Sequence, residues 1–220
     1  KWCFGCGFYV PPNESLDFLR RKTMENNNNN DNLAIDCSVL TAEIPDQPLN
    51  WLRKYGITDV EIRHYGIAWN PQTESLAFPV RRGGQVVLVN ERYFGKDPLH
   101  SKYRLYGHKA LNRTFFNNPN TPNSLVLVED FISAVKVARF ASCIPLFGST
   151  ISADAVKWAV GSFTKLRIWL DRDKASESLK EASKLSQWIP DTRTVVSELD
   201  PKEYSNTELI NILKKAKVLV

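Results

Sequence analysis

From Ser124 onward, short apolar runs alternate with segments that have apolar residues at helical spacing, and this alternation restricts the possible fold more than any other feature. The runs are SLVLV, CIPLF and KLRIWL, with RTVVS as a fourth. Short continuous apolar runs are typical of strands buried on both faces, and strands separated by helices favour βαβ units. We therefore predict an α/β fold whose central, mostly parallel sheet is flanked by helices.

Each run is followed by a predicted helix. The positions expected to face the core are Phe131, Ile132, Val135 and Ala138 in the first helix and Ala175, Leu179, Ala182 and Leu185 in the third. The second helix is expected to begin after Ser152 and to end just before Gly161. Ser205 and Glu208 have the spacing of a capping box for the last helix.

A different pattern precedes this region. Leu49, Leu52 and Tyr55 followed by Gly56 predict a helix that belongs to a small helical pair. SLAFPV, QVVLVNERYF and KYRLYG predict short strands, the first two joined by a Gly-Gly hairpin turn. This stretch is expected to form a small mixed α+β subdomain.

The composition changes along the chain predict four parts. Residues 1–12 contain a Cys-x-x-Cys pair, and residues 13–47 contain the polar sequence ENNNNNDN, which is expected to be a flexible linker. Residues 48–118 are expected to form the α+β subdomain and residues 122–220 the α/β domain. The chain begins with Lys1 directly before the cysteine pair, so we expect it to be a piece of a longer protein.

The basic residues are concentrated in one region. The chain has a formal net charge of +5, while residues 81–113 contain eight Lys or Arg against two acidic residues, a net +6. A concentrated basic face suggests an anionic partner such as nucleic acid or nucleotide phosphate, with a solvated basic surface as the alternative.

Other global features predict the compartment. No apolar run approaches the roughly 20 residues that a membrane-spanning helix needs, and no signal peptide is recognisable, so we expect a cytoplasmic protein with no membrane partner. The four cysteines do not form a disulfide framework, which fits a reducing compartment. There is no Gly-x-x-x-x-Gly-Lys-Ser/Thr sequence and hence no ATP-driven motor.

Three acidic residues follow apolar strands that gain nothing from an acid. Glu129 comes just after the first predicted strand, and Asp171 with Asp173 after the third. Ligands collect at the carboxyl ends of parallel strands, and Asp171 and Asp173 point the same way if the backbone stays extended. Three close carboxylates favour Mg²⁺ or Mn²⁺ and hence phosphoryl chemistry. The alternative is that Glu129 caps a helix and Asp171-Arg172-Asp173 is an exposed turn.

The ordered series VED, FGST, LDRDKAS and DPKEY resembles the Toprim domain shared by primases of the bacterial DnaG and phage types, topoisomerases and some nucleases. This resemblance implies that Glu129, Asp171 and Asp173 bind Mg²⁺ or Mn²⁺. The sequence departs from the family pattern in three places. Asp130 stands where primases usually have Gly, Ser133 replaces a further acid, and Arg172 replaces the Gly between the two aspartates.

The preceding segments resemble parts of the same primases. KWCFGCGFYV is similar to the second half of their zinc ribbon, so Cys3 and Cys6 would supply half of a Zn²⁺ site that only a longer form of the protein completes. KYRLYGHKALNRTFF resembles the stretch that meets nucleotide and template. The residues that this resemblance assigns to nucleotide or DNA binding are Lys102, Arg104, Lys109 and Asn112, with Arg172 added from the Toprim motif, and Lys102 and Lys109 are also assigned to catalysis.

The expected function is therefore that of the RNA-polymerase domain of a DNA primase, in an enzyme of phage type that resides in the host cytoplasm if phage-encoded. Its expected partners are a single-stranded DNA template, ribonucleoside triphosphates and a replicative helicase. Two alternatives remain open. One is a metal-dependent Toprim nuclease, and the other is a non-catalytic template-binding accessory domain, which the departures at Asp130, Ser133 and Arg172 would fit.

Overall fold

Two antiparallel strands, Trp2–Cys3 (β1) and Phe8–Tyr9 (β2), open the chain. The computed structural model describes residues 2–3, 8–9, 37–82, 84–107, 116–151 and 153–219. None of the helices in these ranges is both long and apolar enough to cross a membrane.

A helical pair and an antiparallel sheet follow. The elements are α1 (Asp46–Lys54), α2 (Asp59–Tyr65), β3 (Ala68–Asn70), β4 (Ser75–Arg82), β5 (Gln85–Tyr93) and β6 (Tyr103–Gly107). The strands lie in the order β3-β4-β5-β6, so β6 forms one edge of the sheet. The predicted helical pair, the three predicted strands and the hairpin between the first two are confirmed.

Local sequence explains how both helices end. The chain leaves α1 through Gly56, whose φ of +70° is costly for residues with a Cβ. At the start of α2, Thr58 and Glu61 form a capping box, in which the Thr58 hydroxyl accepts from the Glu61 N–H and the Glu61 carboxylate accepts from the Thr58 N–H. Each helix is therefore limited to about two turns.

The second half is the α/β unit that the alternation predicts. Its elements are β7 (Ser124–Val128), α3 (Phe131–Ala138), β8 (Cys143–Pro145), α4 (Ala153–Ser162), β9 (Lys165–Trp169), α5 (Ala175–Leu185), β10 (Asp191–Thr194) and α6 (Asn206–Lys215). The four strands are parallel and lie in the order β10-β9-β7-β8. The predicted parallel sheet flanked by helices is confirmed, as is the Ser205–Glu208 capping box of α6.

Alternation along the central strands divides the core into two layers. Leu125 and Leu127 face a core that includes Ala159 of α4 and Leu185 of α5. The intervening residues Val126 and Val128 face a second core, formed with residues of α3 and α6. The central strand β7 is consequently buried on both faces, which explains its continuous apolar run. In β9 the buried Arg167 is the polar exception, and it pairs with Asp191 of the more exposed strand β10.

The second core also joins the two halves of the chain. It includes Leu52 of α1 and Phe78 of β4. Phe78 stacks on Phe131 with 5.1 Å between ring centroids. The Arg139 guanidinium binds Glu61 through Nε–Oε1 and Nη2–Oε2 contacts of 2.7 and 2.8 Å and also donates to the Gly56 carbonyl. The antiparallel sheet is therefore packed against the α3 side of the parallel sheet.

Three local predictions were wrong. Leu179 is 59% exposed because Ser178, Ala182 and Leu185 define the buried face of α5 instead. Gly161 lies inside α4 rather than beyond it. The fourth strand ends at Thr194, before the valine pair of RTVVS, because pairing with β9 covers only residues 191–194. Isolated apolar residues near the surface do not fix a helical face or a strand end.

The Glu61–Arg139 pair gives a test of how the two halves are held together. Burial alone would raise the pKa of Glu61, but its hydrogen bonds with Arg139 and Thr58 lower it overall. Glu61→Gln keeps an oxygen for the capping box and removes the charge. We expect it to lower the free energy of unfolding by about 1.5–3 kcal/mol in urea denaturation at neutral pH.

The control is Asp59→Asn in the same helix, because Asp59 pairs with Arg53 at 3.7 Å in an exposed position. It should cost under about 1 kcal/mol. The difference between the two variants should shrink as the pH falls through the lowered pKa of Glu61, since protonation removes the charge that Arg139 binds. Equal losses in both variants would contradict this role for the pair.

Candidate active site

Two central strands of the parallel sheet end side by side. Val128 at the end of β7 pairs in register with Trp169 at the end of β9. Glu129 follows the first strand directly, and Asp171 lies two residues beyond the second. This is the edge of a parallel sheet at which ligands bind, so the sequence-predicted site lies where the fold favours one.

Glu129 has a carboxylate oxygen without a protein partner. Its Oε2 is buried and makes no hydrogen bond, while the backbone N–H of Asp171 bonds the carboxylate. Burial raises the pKa of Glu129, and the neighbouring carboxylates of Asp130 and Asp173 raise it further. A buried acceptor without a donor is costly, and it is the type of group that binds a cation or a proton.

Asp171 has a second such oxygen. Its Oδ1 is buried and unpartnered, whereas its Oδ2 lies 3.8 Å from the Lys202 ammonium. Burial raises the pKa of Asp171 from its ordinary value of 3.8 to about 7, with further contributions from Glu129, Asp200 and Asp130, although Lys202 opposes the shift. The site therefore has more negative charge than its own cations neutralise.

A residue that the sequence did not reveal, Lys202, lies among these acids. Its Nζ lies 2.9 Å from Asp130 Oδ2 and 2.8 Å from Asp200 Oδ2. Burial would lower the pKa of Lys202, but these carboxylates raise it above its ordinary value. We call Glu129, Asp130, Asp171 and Asp200 the carboxylate cluster. The one indication in the sequence that Lys202 lies near the site is its position in the DPKEY segment, which follows the segments that contain Glu129 and Asp171.

Asp173 does not continue the line of β9. The chain turns at Arg172–Lys174 into a 3₁₀ helix, so the expectation of an extended backbone that aligns Asp171 with Asp173 was wrong. The Asp173 side chain is 74% exposed and lies 3.6 Å from Lys174, and Arg172 is exposed. Asp130, not Glu129, caps the following helix, because its carboxylate accepts from the Ser133 N–H.

The chemistry of the donor set fits a hard divalent cation. Within the described parts of the chain, no three Asp, Glu, His or Cys side chains form a ready-made metal site. Mg²⁺ needs less than that, because it commonly uses one or two carboxylates together with water and substrate phosphate. The unpartnered oxygens of Glu129 and Asp171 meet this requirement. The metal roles of Glu129, Asp171 and Asp173 remain predictions.

Two of the predicted basic residues, Lys102 and Arg104, lie at the edge strand β6. Lys102 is exposed and precedes β6 directly, and Arg104 lies within it, opposite Glu91 of β5. Lys109 and Asn112 fall outside the described residues, as does Cys6. Cys3 is described only as part of β1.

An aromatic group accompanies these basic residues and was not predicted as part of the site. The Arg92 guanidinium lies 4.3 Å from the Trp51 ring centroid and donates to the Tyr103 hydroxyl at 2.5 Å. Tyr103 is 42% exposed. Burial raises the pKa of Tyr103, although Arg92 opposes the shift. Tyr103 of β6 therefore forms an aromatic and basic group with Arg92 and Trp51.

Comparison with solved structures finds a likeness in fold. The fold is similar to that of the crystal structure of the Aquifex aeolicus primase, comprising its zinc-binding and RNA polymerase domains, with a TM-score of 0.54 and 16% sequence identity. The similarity covers 91% of this chain and 58% of that one, so this chain spans less than two thirds of the primase's length. No family model matches the chain, and no curated protein matches it. The α/β fold that the sequence predicts is thus also that of a primase fragment.

The raised pKa of Asp171 predicts how stability depends on pH without metal. Between about pH 4 and 7 the folded chain holds a proton that the unfolded chain has released, so the free energy of unfolding falls as the pH rises through this window. Asp171→Asn removes this titration. We expect its unfolding free energy, measured in chelator, to decline less from pH 5 to 7 than that of the unsubstituted protein.

Asp59→Asn, which changes an exposed carboxylate on α2, serves as the control and should keep the original slope. Parallel pH curves for the unsubstituted protein and Asp171→Asn would show that Asp171 does not retain its proton in the folded state.

Proposed function

We propose that this chain is the RNA-polymerase region of a DNA primase, which makes short RNA primers from ribonucleoside triphosphates on single-stranded DNA. The observation that carries the proposal is the pair of buried, unpartnered oxygens of Glu129 and Asp171 at the carboxyl edge of a primase-like sheet. Two hard ligands at this edge, beside a basic face, suit the chemistry of nucleotide triphosphates.

In this proposal Glu129 and Asp171 hold a Mg²⁺ or Mn²⁺ ion, with Asp173 as a further ligand from the adjoining 3₁₀ turn. The ion would neutralise triphosphate charge and acidify the attacking 3′-hydroxyl. The chain's own contribution is to hold both oxygens out of water in fixed positions, since their strands are paired in register. Lys102 and Lys109 would balance the charge that develops on the phosphates during transfer.

The basic face around β6 would bind the template and the incoming nucleotide. Lys102, Arg104, Lys109, Asn112 and Arg172 are the proposed phosphate and DNA contacts. Tyr103 offers a partly exposed ring beside Lys102, and bases of single-stranded DNA stack on such rings without regard to sequence. This combination favours a single-stranded over a double-stranded template.

The remaining parts of the proposal concern the longer protein. Residues 1–12 would complete a zinc ribbon with further ligands, Cys3 and Cys6 supplying two of four; the antiparallel pairing of β1 with β2 is compatible with such a small unit. Residues 13–47 would link it to the basic subdomain, 48–118, and the Toprim domain, 122–220. We further propose a cytoplasmic enzyme of phage type that works with a replicative helicase.

Primer synthesis is the direct test. The protein is incubated with single-stranded DNA, labelled ribonucleotides and Mg²⁺ or Mn²⁺, and the products are resolved by length. We expect short oligoribonucleotides. Primer synthesis should fall by at least about 100-fold in Glu129→Gln and in Asp171→Asn, because each substitution removes a charged carboxylate that would bind the metal. Glu198→Gln, an exposed carboxylate, is the matched control and should retain activity.

Other outcomes distinguish the alternatives. Metal-dependent degradation of the DNA without ribonucleotides would identify a nuclease instead. Binding of single-stranded DNA with no reaction under any divalent metal, even with the upstream ribbon supplied, would identify an accessory domain. Either result would overturn the primase proposal.

Template binding gives a separate prediction. Lys102→Ala should weaken binding to single-stranded DNA and reduce the slope of log affinity against log salt by about 0.7, the value for one phosphate contact. Fluorescence anisotropy across a salt series measures both quantities. Lys180→Ala, which removes an exposed lysine on α5, should change neither; an equal effect in both variants would mean that only net charge matters.

A further inference from the structure

We propose that the Lys202 ammonium is a resident cation of the carboxylate cluster. The ammonium occupies the side of the cluster formed by Asp130, Asp171 and Asp200. It thereby limits the site to one divalent ion, which binds on the Glu129 side. This inference rests on the proposed function, because it assumes that Glu129 and Asp171 bind metal. It adds the number of ions and the residue that sets it.

The contacts of Lys202 are those of a bound cation rather than of a surface lysine. Its Nζ donates to Asp130 Oδ2 at 2.9 Å and to Asp200 Oδ2 at 2.8 Å, and lies 3.8 Å from Asp171 Oδ2. Its side chain is only 15% exposed. Three carboxylates from three separate segments thus surround one ammonium group, which is the environment that a metal ion would otherwise require.

The backbone around Lys202 is fixed in place. Asp200 caps the 3₁₀ turn Pro201–Glu203, whose N-terminal position is a proline. The buried Lys136 of α3 donates to the carbonyl oxygens of Lys202 and Tyr204. The ammonium is therefore held in position before any ligand arrives, which reduces the entropy lost by fixing a long side chain.

Its principal partner is fixed as well. Asp130 accepts from both the backbone N–H and the hydroxyl of Ser133, each at 2.9 Å. Asp130 and Ser133 are two of the positions at which this sequence departs from the Toprim pattern. Both departures thus belong to the arrangement that holds the ammonium.

Asp171 separates the two sides of the cluster. Its Oδ2 faces Lys202, while its Oδ1 is buried and unpartnered like Glu129 Oε2. Two free oxygens suffice for one Mg²⁺ with its waters. A second divalent ion among Asp130, Asp171 and Asp200 would lie in contact with the ammonium, and the repulsion between them would exclude it.

Counting bound ions tests this inference. Mn²⁺ binding is measured by electron paramagnetic resonance and calorimetry without nucleotide, and the ions that remain bound to Glu129→Gln/Asp171→Asn are subtracted. We expect one ion at the cluster in the unsubstituted protein. Lys202→Met should bind two, with the first bound at least about tenfold more tightly, because the competing charge is gone.

Two variants isolate the position of the charge. Lys202→Arg retains a cation and should still bind one ion. Lys174→Met removes a positive charge that lies near Glu129 but does not contact Asp130 or Asp200, so it should also leave the count at one. A second ion in Lys174→Met would mean that total charge, not the place of Lys202, sets the number.

Thermal unfolding supplies an independent readout. Lys202→Met should be less stable than the unsubstituted protein in chelator, and Mn²⁺ should raise its Tm by more, since metal replaces the lost cation. If Lys202→Met does not fold without metal, the number of Mn²⁺ ions bound to the unsubstituted protein tests the inference instead. Two ions there would overturn the inference and leave the proposed function intact, whereas no bound ion would overturn both.

Discussion

The parallel pairing of β7 with β9 is the constraint on which the candidate site depends. It places two strands side by side between the two core layers, and it aligns Val128 with Trp169 at one edge. A polar side chain inside these strands needs its own partners, as Arg167 has in Asp191 and the Ala216 carbonyl, whereas beyond the paired residues polar groups are less costly. Glu129 follows β7 directly and Asp171 follows β9 after the buried Leu170, so the same hydrogen-bond register that aligns the strands also brings the two acids to one edge.

The features that could be predicted from the sequence are those that a short stretch of residues determines. Burial on both faces left continuous apolar runs, so the strands and the acids after them could be located without a structure. The capping box of α6 was equally local. The wrong predictions came from residue spacing that did not match the observed exposure or chain direction. Leu179 has helical spacing yet faces solvent, and the chain after Asp171 turns into a 3₁₀ helix that directs Asp173 outward.

The role of Lys202 lay beyond sequence reasoning for a similar reason. It bonds Asp130 from 72 residues away along the chain, and no spacing rule relates the two positions. A lysine next to a proline and two acids also has the composition of an ordinary surface turn. Only the packing of the Pro201–Glu203 turn against α3 reveals that its charge points inward, among Asp130, Asp171 and Asp200.

Helix α3 connects these observations. Asp130 lies at its N-terminus, and Lys136, near its other end, holds the carbonyls of Lys202 and Tyr204. The Asp130 carboxylate and the backbone that carries the Lys202 ammonium are thus both held by the same short helix. The position of α3 therefore sets where both groups stand relative to Glu129, which directly follows β7.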